Sequence, residues 1–295
     1  PYLKETQESV CAFLALAEPV INSCTEPLNV DSIMQVVNAL APGNHAAKAS
    51  LDIALHDLYG KLEGKPLWQI WGIDPEATPC TSYTIGYDAS DSIVLVKVQE
   101  ADWAKILKVK LGRGEAEDKR MITLIRSLSD KPIYVDANQG WPTKEHALMM
   151  CQWLAEQGVV MIEQPMPKHM DEEHAWLCEQ VELPILADEA CQTYDDVARL
   201  APYYDGINIK LMKCGGLAEA RKMITLAREL GKQVMIGCMT ETRAGISAAT
   251  TLSPLVDYAD LDGHVLLAND PYEGIQLVDG KLTLVNKPGT GVTPL

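Results

Sequence analysis

Phenylalanine and long apolar runs are scarce in this chain. Of its 295 residues only Phe13 is phenylalanine, so Leu, Ile, Val, Met and Ala must fill the core, and 47% of the residues are hydrophobic. No apolar run approaches the ~18 residues that a membrane-spanning helix needs, and no signal peptide is visible. We therefore expect no membrane partner.

Positive charge is scarce too, with 25 Lys and Arg against 41 Asp and Glu and a net charge of −16. Because so acidic a protein is repelled by phosphate backbones and anionic lipids, we expect no nucleic-acid partner. The substrate stays open, since a few lysines or a metal ion can make one pocket locally positive. A homo-oligomer is one option for the assembly.

The cysteines lack any CxxC pairing. In a chain of this length, unpaired cysteines are typical of reduced, mostly buried thiols, which predicts a cytoplasmic protein. The eight are Cys11, Cys24, Cys80, Cys151, Cys178, Cys191, Cys214 and Cys238.

The first ~75 residues predict three helices, which we place at residues 6–16, 32–40 and 46–62. Asp31 is the expected N-cap of the second helix, and Pro42-Gly43 ends it. Gly64, followed by Lys65-Pro66, ends the third. The chain begins at Pro1 within ordinary sequence, from which we expect a further N-terminal segment to precede it.

From residue 80 onward, short apolar and β-branched runs recur with starts 22 to 27 residues apart. Most gaps hold an amphipathic helical stretch, such as residues 117–127, 144–157 and 217–230. Eight such strand–helix units predict an α/β fold, a TIM-type (β/α)8 barrel. The alternative is an open doubly wound sheet, for which eight evenly spaced parallel strands would be many. The runs are 81–85, 106–111, 133–136, 159–163, 185–188, 207–211, 234–238 and 258–261.

Ionisable residues recur where these strands end, which is where such barrels carry their active sites. Asp136, Glu163 and Asp188 end three consecutive strands. Three carboxylates at one side of a barrel mouth repel one another unless a cation lies among them, and oxygen ligands suit Mg²⁺. The alternative is three separate salt bridges.

Lys110 and Lys210 end strands two and six, which are four apart in a ring of eight and therefore face each other across the mouth. Two bases on opposite faces of one carbon can remove its proton from one side and return it from the other, which inverts the stereocentre. Lys108 lies two residues before Lys110 and points the same way off the strand. The alternative is that these are surface lysines.

A metal explains why a lysine would suffice as the base. Removing the α-proton of a carboxylate leaves a doubly negative enediolate, and a divalent cation stabilises that charge where it develops. A lysine base paired with Mg²⁺ is a known solution for this kind of proton abstraction.

Several segments resemble the signature segments of dipeptide epimerases, which are enolase-superfamily enzymes of the muconate-lactonizing type. The resemblance covers residues ~45–291, and the DxD at Asp260 and Asp262 is its feature that points to dipeptides. The segments are LKVKLG (107–112), VDANQGW (135–141), IEQPM (162–166), LADEA (186–190), NIKLMKCGG (208–216), MIGCMTET (235–242) and DLDGH (260–264).

The resemblance implies a role for each matching residue. Lys110 and Lys210 would be the two acid/base catalysts, each serving one enantiomer, and Lys213 would be structural. Lys108 would help to hold the substrate carboxylate. Mg²⁺ would be bound by Asp136, Glu163 and Asp188, the α-ammonium by Asp260 and Asp262, and the dipeptide site would be lined by Thr84, Cys238, Met239 and Thr240.

The resemblance also implies the domain organisation and the reaction. Residues 1–79 would be the helical part of a capping domain without its N-terminal sheet, residues 80–269 the barrel, and residues 270–295 a segment returning to the cap. The activity would be Mg²⁺-dependent epimerisation of the C-terminal residue of a dipeptide, with L-Ala-D/L-Glu from cell-wall peptides as the expected substrate. The alternatives are o-succinylbenzoate synthase, N-acylamino acid racemase or cycloisomerase activity, and a non-catalytic binding barrel.

Overall fold

The N-terminal region of the computed structural model, which describes residues 4–24 and 28–295, is helical. Thr6 caps the first helix by accepting a hydrogen bond from the Ser9 backbone N–H, and the helix runs past the predicted end. Phe13 and Ala17 from this helix pack with Val37 and Leu55 in a small core of their own. The helices are α1 (Gln7–Asn22), α2 (Val30–Ala39), α3 (His45–Leu62) and α4 (Leu67–Ile70).

The predicted N-cap of α2 was wrong by two residues. Asn29, not Asp31, is the cap, because the Asn29 side chain accepts a hydrogen bond from the Ser32 backbone N–H at 2.9 Å. Asp31 instead lies in the first turn, where its charge suits the positive end of the helix dipole.

Eight parallel strands follow in sequential order, and every neighbouring pair is hydrogen-bonded. An isolated bridge between Thr81 and Ala259 brings the last strand back to the first, so the sheet is a nearly closed barrel. The strands are β1 (Ser82–Ile85), β2 (Ile106–Lys110), β3 (Ile133–Asp136), β4 (Val159–Glu163), β5 (Ile185–Ala187), β6 (Gly206–Lys210), β7 (Gln233–Gly237) and β8 (Tyr258–Asp260).

Helices alternate with these strands and cover the outside of the barrel. Their apolar residues, such as Met121, Leu154 and Ile224, are buried together with Val109 and Ile209 of the strands in the main core. This is the TIM-type fold predicted from the spacing. The helices are α5 (Asp91–Glu100), α6 (Glu115–Arg126), α7 (Lys144–Glu156), α8 (Asp171–Gln180), α9 (Tyr194–Leu200), α10 (Leu211–Cys214), α11 (Leu217–Glu229) and α12 (Arg243–Leu252).

The C-terminal segment lies against the N-terminal helices. The Leu67 backbone N–H donates to Gly289 O at 2.9 Å, and the Thr290 backbone and hydroxyl both donate to the Asp57 carboxylate at 2.9 Å. Gly60 has no room for a side chain, since a Cβ there would lie 2.6 Å from the Cα of Gly289. The short strands of this segment are β9 (Tyr272–Glu273), β10 (Gln276–Val278), β11 (Lys281–Thr283) and β12 (Thr293–Pro294).

No helix in the described part of the chain is both long and apolar enough to cross a lipid bilayer. All eight cysteines are free thiols, as the sequence predicted. The prediction that most of them would be buried was wrong, because only Cys151, Cys191 and Cys214 are buried.

Candidate active site

Strand register brings the predicted carboxylates together. Lys110 is paired with Asp136 across β2 and β3, and Asp136 with Glu163 across β3 and β4. Asp188 follows the last residue of β5. One carboxylate oxygen from each of Asp136, Glu163 and Asp188 lies within 4.8 Å of the other two, and all three side chains are buried. The three carboxylates therefore converge on one point, as predicted.

The three carboxylates have different electrostatic surroundings. Burial acts to raise the pKa of Asp188, but the amines of Lys210 and Lys213 hold it well below its usual value. Burial also opposes the ionisation of Asp136, but the amines of Lys110 and Lys108 lower its pKa. Burial and the nearby Asp136 raise the pKa of Glu163 to about 7. Of the three carboxylates, Glu163 is thus the one whose ionised form its surroundings stabilise least.

The cluster fits a small divalent cation. Mg²⁺ binds oxygens at about 2.0–2.1 Å, so two ligands of one ion lie at most about 4.2 Å apart, which is comparable with the 4.8 Å within which the three oxygens lie. Glu163 is buried, and its Oε2 lies 2.6 Å from Lys108 Nζ. Burial and the repulsion from Asp136 still raise its pKa, and a divalent cation among the three carboxylates would offset that repulsion.

Two lysines flank the carboxylates from opposite walls. Lys110 Nζ lies 2.5 Å from Asp136 Oδ2, and Lys210 Nζ lies 2.7 Å from Asp188 Oδ2. Their strands, β2 and β6, are four apart in the eight-stranded ring. The Lys110 side chain is 36% exposed and the Lys210 side chain 6%. The amines therefore approach the cluster from different sides, as the strand numbering predicted.

Lys108 is buried within a carboxylate pair. Its Nζ lies 2.6 Å from both Asp260 Oδ2 and Glu163 Oε2, and its side chain is 1% exposed. Burial opposes the charge, yet Asp260, Glu163 and Asp136 raise the pKa of Lys108 well above its usual value. This amine stays protonated and lies beneath the mouth. Its contact with a substrate carboxylate remains a prediction.

The two aspartates after β8 are not equivalent. Asp260 is fully engaged, because Oδ1 accepts from the Ser82 hydroxyl at 2.7 Å and Oδ2 from Lys108. Asp262 accepts from the Thr84 backbone N–H at 2.7 Å through Oδ2. Burial and the charge of Asp260 raise the pKa of Asp262 to about 6. The two thus differ in their partners, since Asp260 is held by a lysine amine and Asp262 is bonded by Thr84.

The loop after β7 packs tightly on the loop after β8. A Cβ at Gly263 would contact the backbone oxygen of Met239 and would lie 3.2 Å from Cys238 Sγ. Thr240 is exposed. The Met239 backbone N–H donates to Glu241 at 2.8 Å, and burial raises the pKa of Glu241 to about 7. The structure thus brings Cys238 and Met239 beside the loop that carries Asp262.

Three further polar residues bond the residues that carry the carboxylates, and the sequence analysis gave two of the three no role. Asn208, buried on β6, donates to Glu163 Oε1 at 2.7 Å, and Gly237 leaves space for this amide. Lys213 donates to both Asp188 Oδ1 and the Asp188 backbone oxygen, which fits its predicted structural role. Gln164 accepts from the Asp188 backbone N–H. The signal for Asn208 and Gln164 was their place at strand ends.

Asn138 of the segment VDANQGW and Glu189 of the segment LADEA lie at the edge of the three carboxylates. The Asn138 backbone N–H donates to Asp136 Oδ1 at 2.9 Å, and its side-chain amide lies 3.4 Å from Glu189 Oε1. Burial, then Asp188 and Asp136, raise the pKa of Glu189. Both residues therefore border the carboxylates.

Family models match most of the chain. Residues 8–72 match the N-terminal domain of the mandelate racemase / muconate lactonizing enzyme family, and residues 94–295 match the enolase C-terminal domain-like family. The chain belongs to the enolase superfamily. Its barrel and its helical N-terminal region are those of this superfamily, as the sequence motifs predicted.

Relatives of this superfamily member include dipeptide epimerases. It is 53% identical to L-Ala-D/L-Glu epimerase of Bacteroides thetaiotaomicron over 99% of this chain and 75% of the relative. A substrate-liganded L-Ala-D/L-Glu epimerase from Bacillus subtilis has a TM-score of 0.90 at 28% identity, covering 98% of this chain and 83% of the other. Dipeptide epimerase from Enterococcus faecalis, in complex with Mg and L-Leu-L-Tyr, has a TM-score of 0.88 at 33% identity. The match covers 98% of this chain and 84% of the other.

Proposed function

We propose that the protein is a Mg²⁺-dependent dipeptide epimerase that inverts the α-carbon of the C-terminal residue by 1,1-proton transfer. The observation that carries this proposal is the pair of opposed amines, Lys110 and Lys210, flanking three convergent carboxylates. The names of the relatives support the same reaction. A binding protein without catalysis would have no need of two amines facing each other across one cation site.

The chemistry follows from the positions of the side chains. A Mg²⁺ ion held by Asp136, Glu163 and Asp188 would offset the negative charge that develops on the substrate carboxylate when its α-proton leaves. One lysine removes that proton from its face of the carbon as a neutral amine. The other lysine, protonated, delivers a proton to the opposite face. Each lysine exchanges roles when the other enantiomer is bound.

The substrate class follows from the acidic residues after β8. Asp262 is placed to accept the α-ammonium group of the dipeptide, because its carboxylate is bonded by Thr84 and not, like that of Asp260, by a lysine amine. Asp260 contributes indirectly, because it accepts a hydrogen bond from the Lys108 amine and so holds that amine in place. Thr84, Cys238, Met239 and Thr240 line the same side. L-Ala-D/L-Glu is the dipeptide we propose, in the turnover of cell-wall peptides in the cytoplasm, since the 53% identical relative carries that activity in its name.

The domain assignment is part of this proposal. Residues 80–269 form the catalytic barrel, and residues 1–79 together with residues 270–295 form the cap. The hydrogen bonds of Gly289 and Thr290 to Leu67 and Asp57 support it, because they join the end of the chain to the N-terminal helices.

Proton exchange tests the proposal directly. The protein is incubated with L-Ala-D-Glu and Mg²⁺ in D₂O, and the Glu α-proton is followed by NMR. We expect that proton to be replaced by deuterium while the L,L isomer accumulates. The Ala α-proton of the same molecule is the internal control and should persist.

An N-acylated substrate provides the second control. N-acetyl-L-Ala-D-Glu has the same carboxylate but no ammonium group, so it should react far more slowly if Asp262 binds that charge. Rapid turnover of the acylated compound together with inert free dipeptides would favour the racemase or synthase alternatives instead. No exchange in any of a panel of dipeptides would refute the epimerase proposal.

A further inference from the structure

We propose that Gln164 is a positioning residue that fixes Asp188 relative to Glu163 and thereby sets the geometry of the cation site. Gln164 directly follows Glu163 and is fully buried. Its side-chain oxygen accepts hydrogen bonds from the backbone N–H groups of Asp188, at 3.0 Å, and Ala190, at 3.1 Å. One amide therefore fixes the backbone on both sides of Glu189. The inference rests on the metal site of the proposed function.

The orientation of this amide is unambiguous. The oxygen faces two N–H donors, and the nitrogen faces the Met166 backbone oxygen at 3.2 Å, so exchanging the two ends would bring like groups together. The nitrogen also donates to the Tyr204 hydroxyl at 3.0 Å, and His174 packs on the Tyr204 ring. The Gln164 side chain is thus held at both ends.

The backbone of Gln164 indicates that its side chain is needed. Its φ of +36° lies in the left-handed region, where glycine is favoured and a longer side chain is strained. Proline follows at position 165, which restricts the preceding residue further. A strained residue at a functional site is retained where its side chain does something that glycine cannot.

The backbone bonds of Gln164 make it a link between two carboxylate-bearing strands. Its N–H donates to Leu186 O at 2.9 Å, which extends the β4–β5 ladder one residue past Glu163, and its side chain then reaches over the end of β5. The position of the Asp188 carboxylate therefore depends on Gln164 through the backbone. Lys210 and Lys213 hold the same carboxylate through its side-chain oxygens.

Two variants of Gln164 test this role, and Gln139 supplies the matched control. Gln164→Gly relieves the strained backbone but removes the side chain. Gln164→Asn keeps an amide and tolerates positive φ, but is one carbon too short to reach both N–H groups. Gln139 is also a glutamine with positive φ, of +64°, and the one hydrogen bond of its side chain among the described residues is accepted from the Lys168 backbone N–H. Its backbone N–H donates to Gln164 O, a bond that a glycine at position 139 would keep. Gln139→Gly therefore changes the same backbone property without touching Asp188.

Mg²⁺ affinity, measured by titration calorimetry on the full chain without substrate, is the readout. Residues that orient metal ligands typically change affinity 10–100-fold when replaced, so we expect a loss of about that size for both Gln164 variants and less than about threefold for Gln139→Gly. Should Gln164→Gly fail to fold, Gln164→Asn decides the question. The dissociation constant, unlike a general loss of stability, should move only in the Gln164 variants.

Each outcome has a distinct meaning. Wild-type affinity in folded Gln164→Gly or Gln164→Asn would overturn the inference and leave the proposed function standing. Equal weakening by Gln139→Gly would overturn it too, because the effect would then belong to the loops in general. A wild-type chain that binds no Mg²⁺ would refute the metal site of the proposed function, and the inference with it.

Discussion

At the scale of single residues, three lysines near the carboxylates differ in what they can do. Lys108 is enclosed by Asp260 and Glu163, which raise its pKa well above the usual value, so it serves as a fixed positive charge rather than a base. Lys110 and Lys210 each contact a different carboxylate from an opposite wall. Proton transfer is therefore the role that we propose for these two, and the sequence separation of their strands already indicated it.

Replacing either opposed lysine should separate exchange from inversion. In Lys110→Ala or Lys210→Ala, epimerisation should fall by roughly 10²–10⁴-fold, the usual contribution of a general acid or base. The remaining lysine can still exchange the α-proton of one enantiomer with solvent. NMR in D₂O on each enantiomer separately measures both rates. Equal loss of exchange from both enantiomers in both variants would contradict the two-base assignment.

The protonation of Glu163 should make Mg²⁺ binding depend on pH. Burial and Asp136 raise its pKa to about 7, and only the ionised form binds a cation. Affinity should therefore rise with pH, by about tenfold between pH 6 and pH 8, with about one proton released per ion bound near pH 6. Calorimetry in buffers of different ionisation enthalpy counts the protons. An affinity that is flat across this range would contradict the raised pKa.

At the scale of elements, apolar runs predicted the strands well because parallel strands covered by helices are apolar throughout. The bounds of β3 and β4 agree with the prediction, and the other strands differ by a residue or two at their ends. Helix starts were less certain, because both Asn29 and Asp31 are good caps and only the local backbone selects between them. The tail lies on the N-terminal helices through bonds that no local pattern encodes.

The contact between α3 and α11 gives a prediction at this scale. Asp52 of α3 accepts from the Leu217 backbone N–H at the start of α11 and lies 3.4 Å from His56, and Gly216 leaves space for it. Asp52→Ala leaves a buried N–H without an acceptor, which should cost about 1–3 kcal/mol of unfolding free energy. Urea unfolding measures it. Glu63→Ala, an exposed change on the same segment, should stay within about 0.5 kcal/mol.

At the scale of the whole molecule, the sequence predicted which residues meet but not how they are linked. Counting strands was enough to place Lys110 opposite Lys210 and to gather the three carboxylates, because barrel order is chain order. The Lys108–Asp260 ion pair and the reach of Gln164 to Asp188 could not be predicted. They depend on side-chain directions and burial across the barrel, which strand spacing does not determine.

The overall charge of −16 affects how metal binding must be tested. Mg²⁺ at 100 times its dissociation constant should add about 2.7 kcal/mol of stability by linkage, which raises the melting temperature by roughly 4 °C for a chain of this size. Because any salt also relieves the repulsion within so acidic a protein, part of a thermal shift would not report the site. NaCl at matched ionic strength measures that part.

Asp188→Asn leaves a net charge near −15 yet removes one predicted ligand, so its Mg²⁺ shift should shrink to the NaCl value. A full Mg²⁺ shift in Asp188→Asn would mean that the ion stabilises the protein through its general charge and not through the three carboxylates at the barrel mouth.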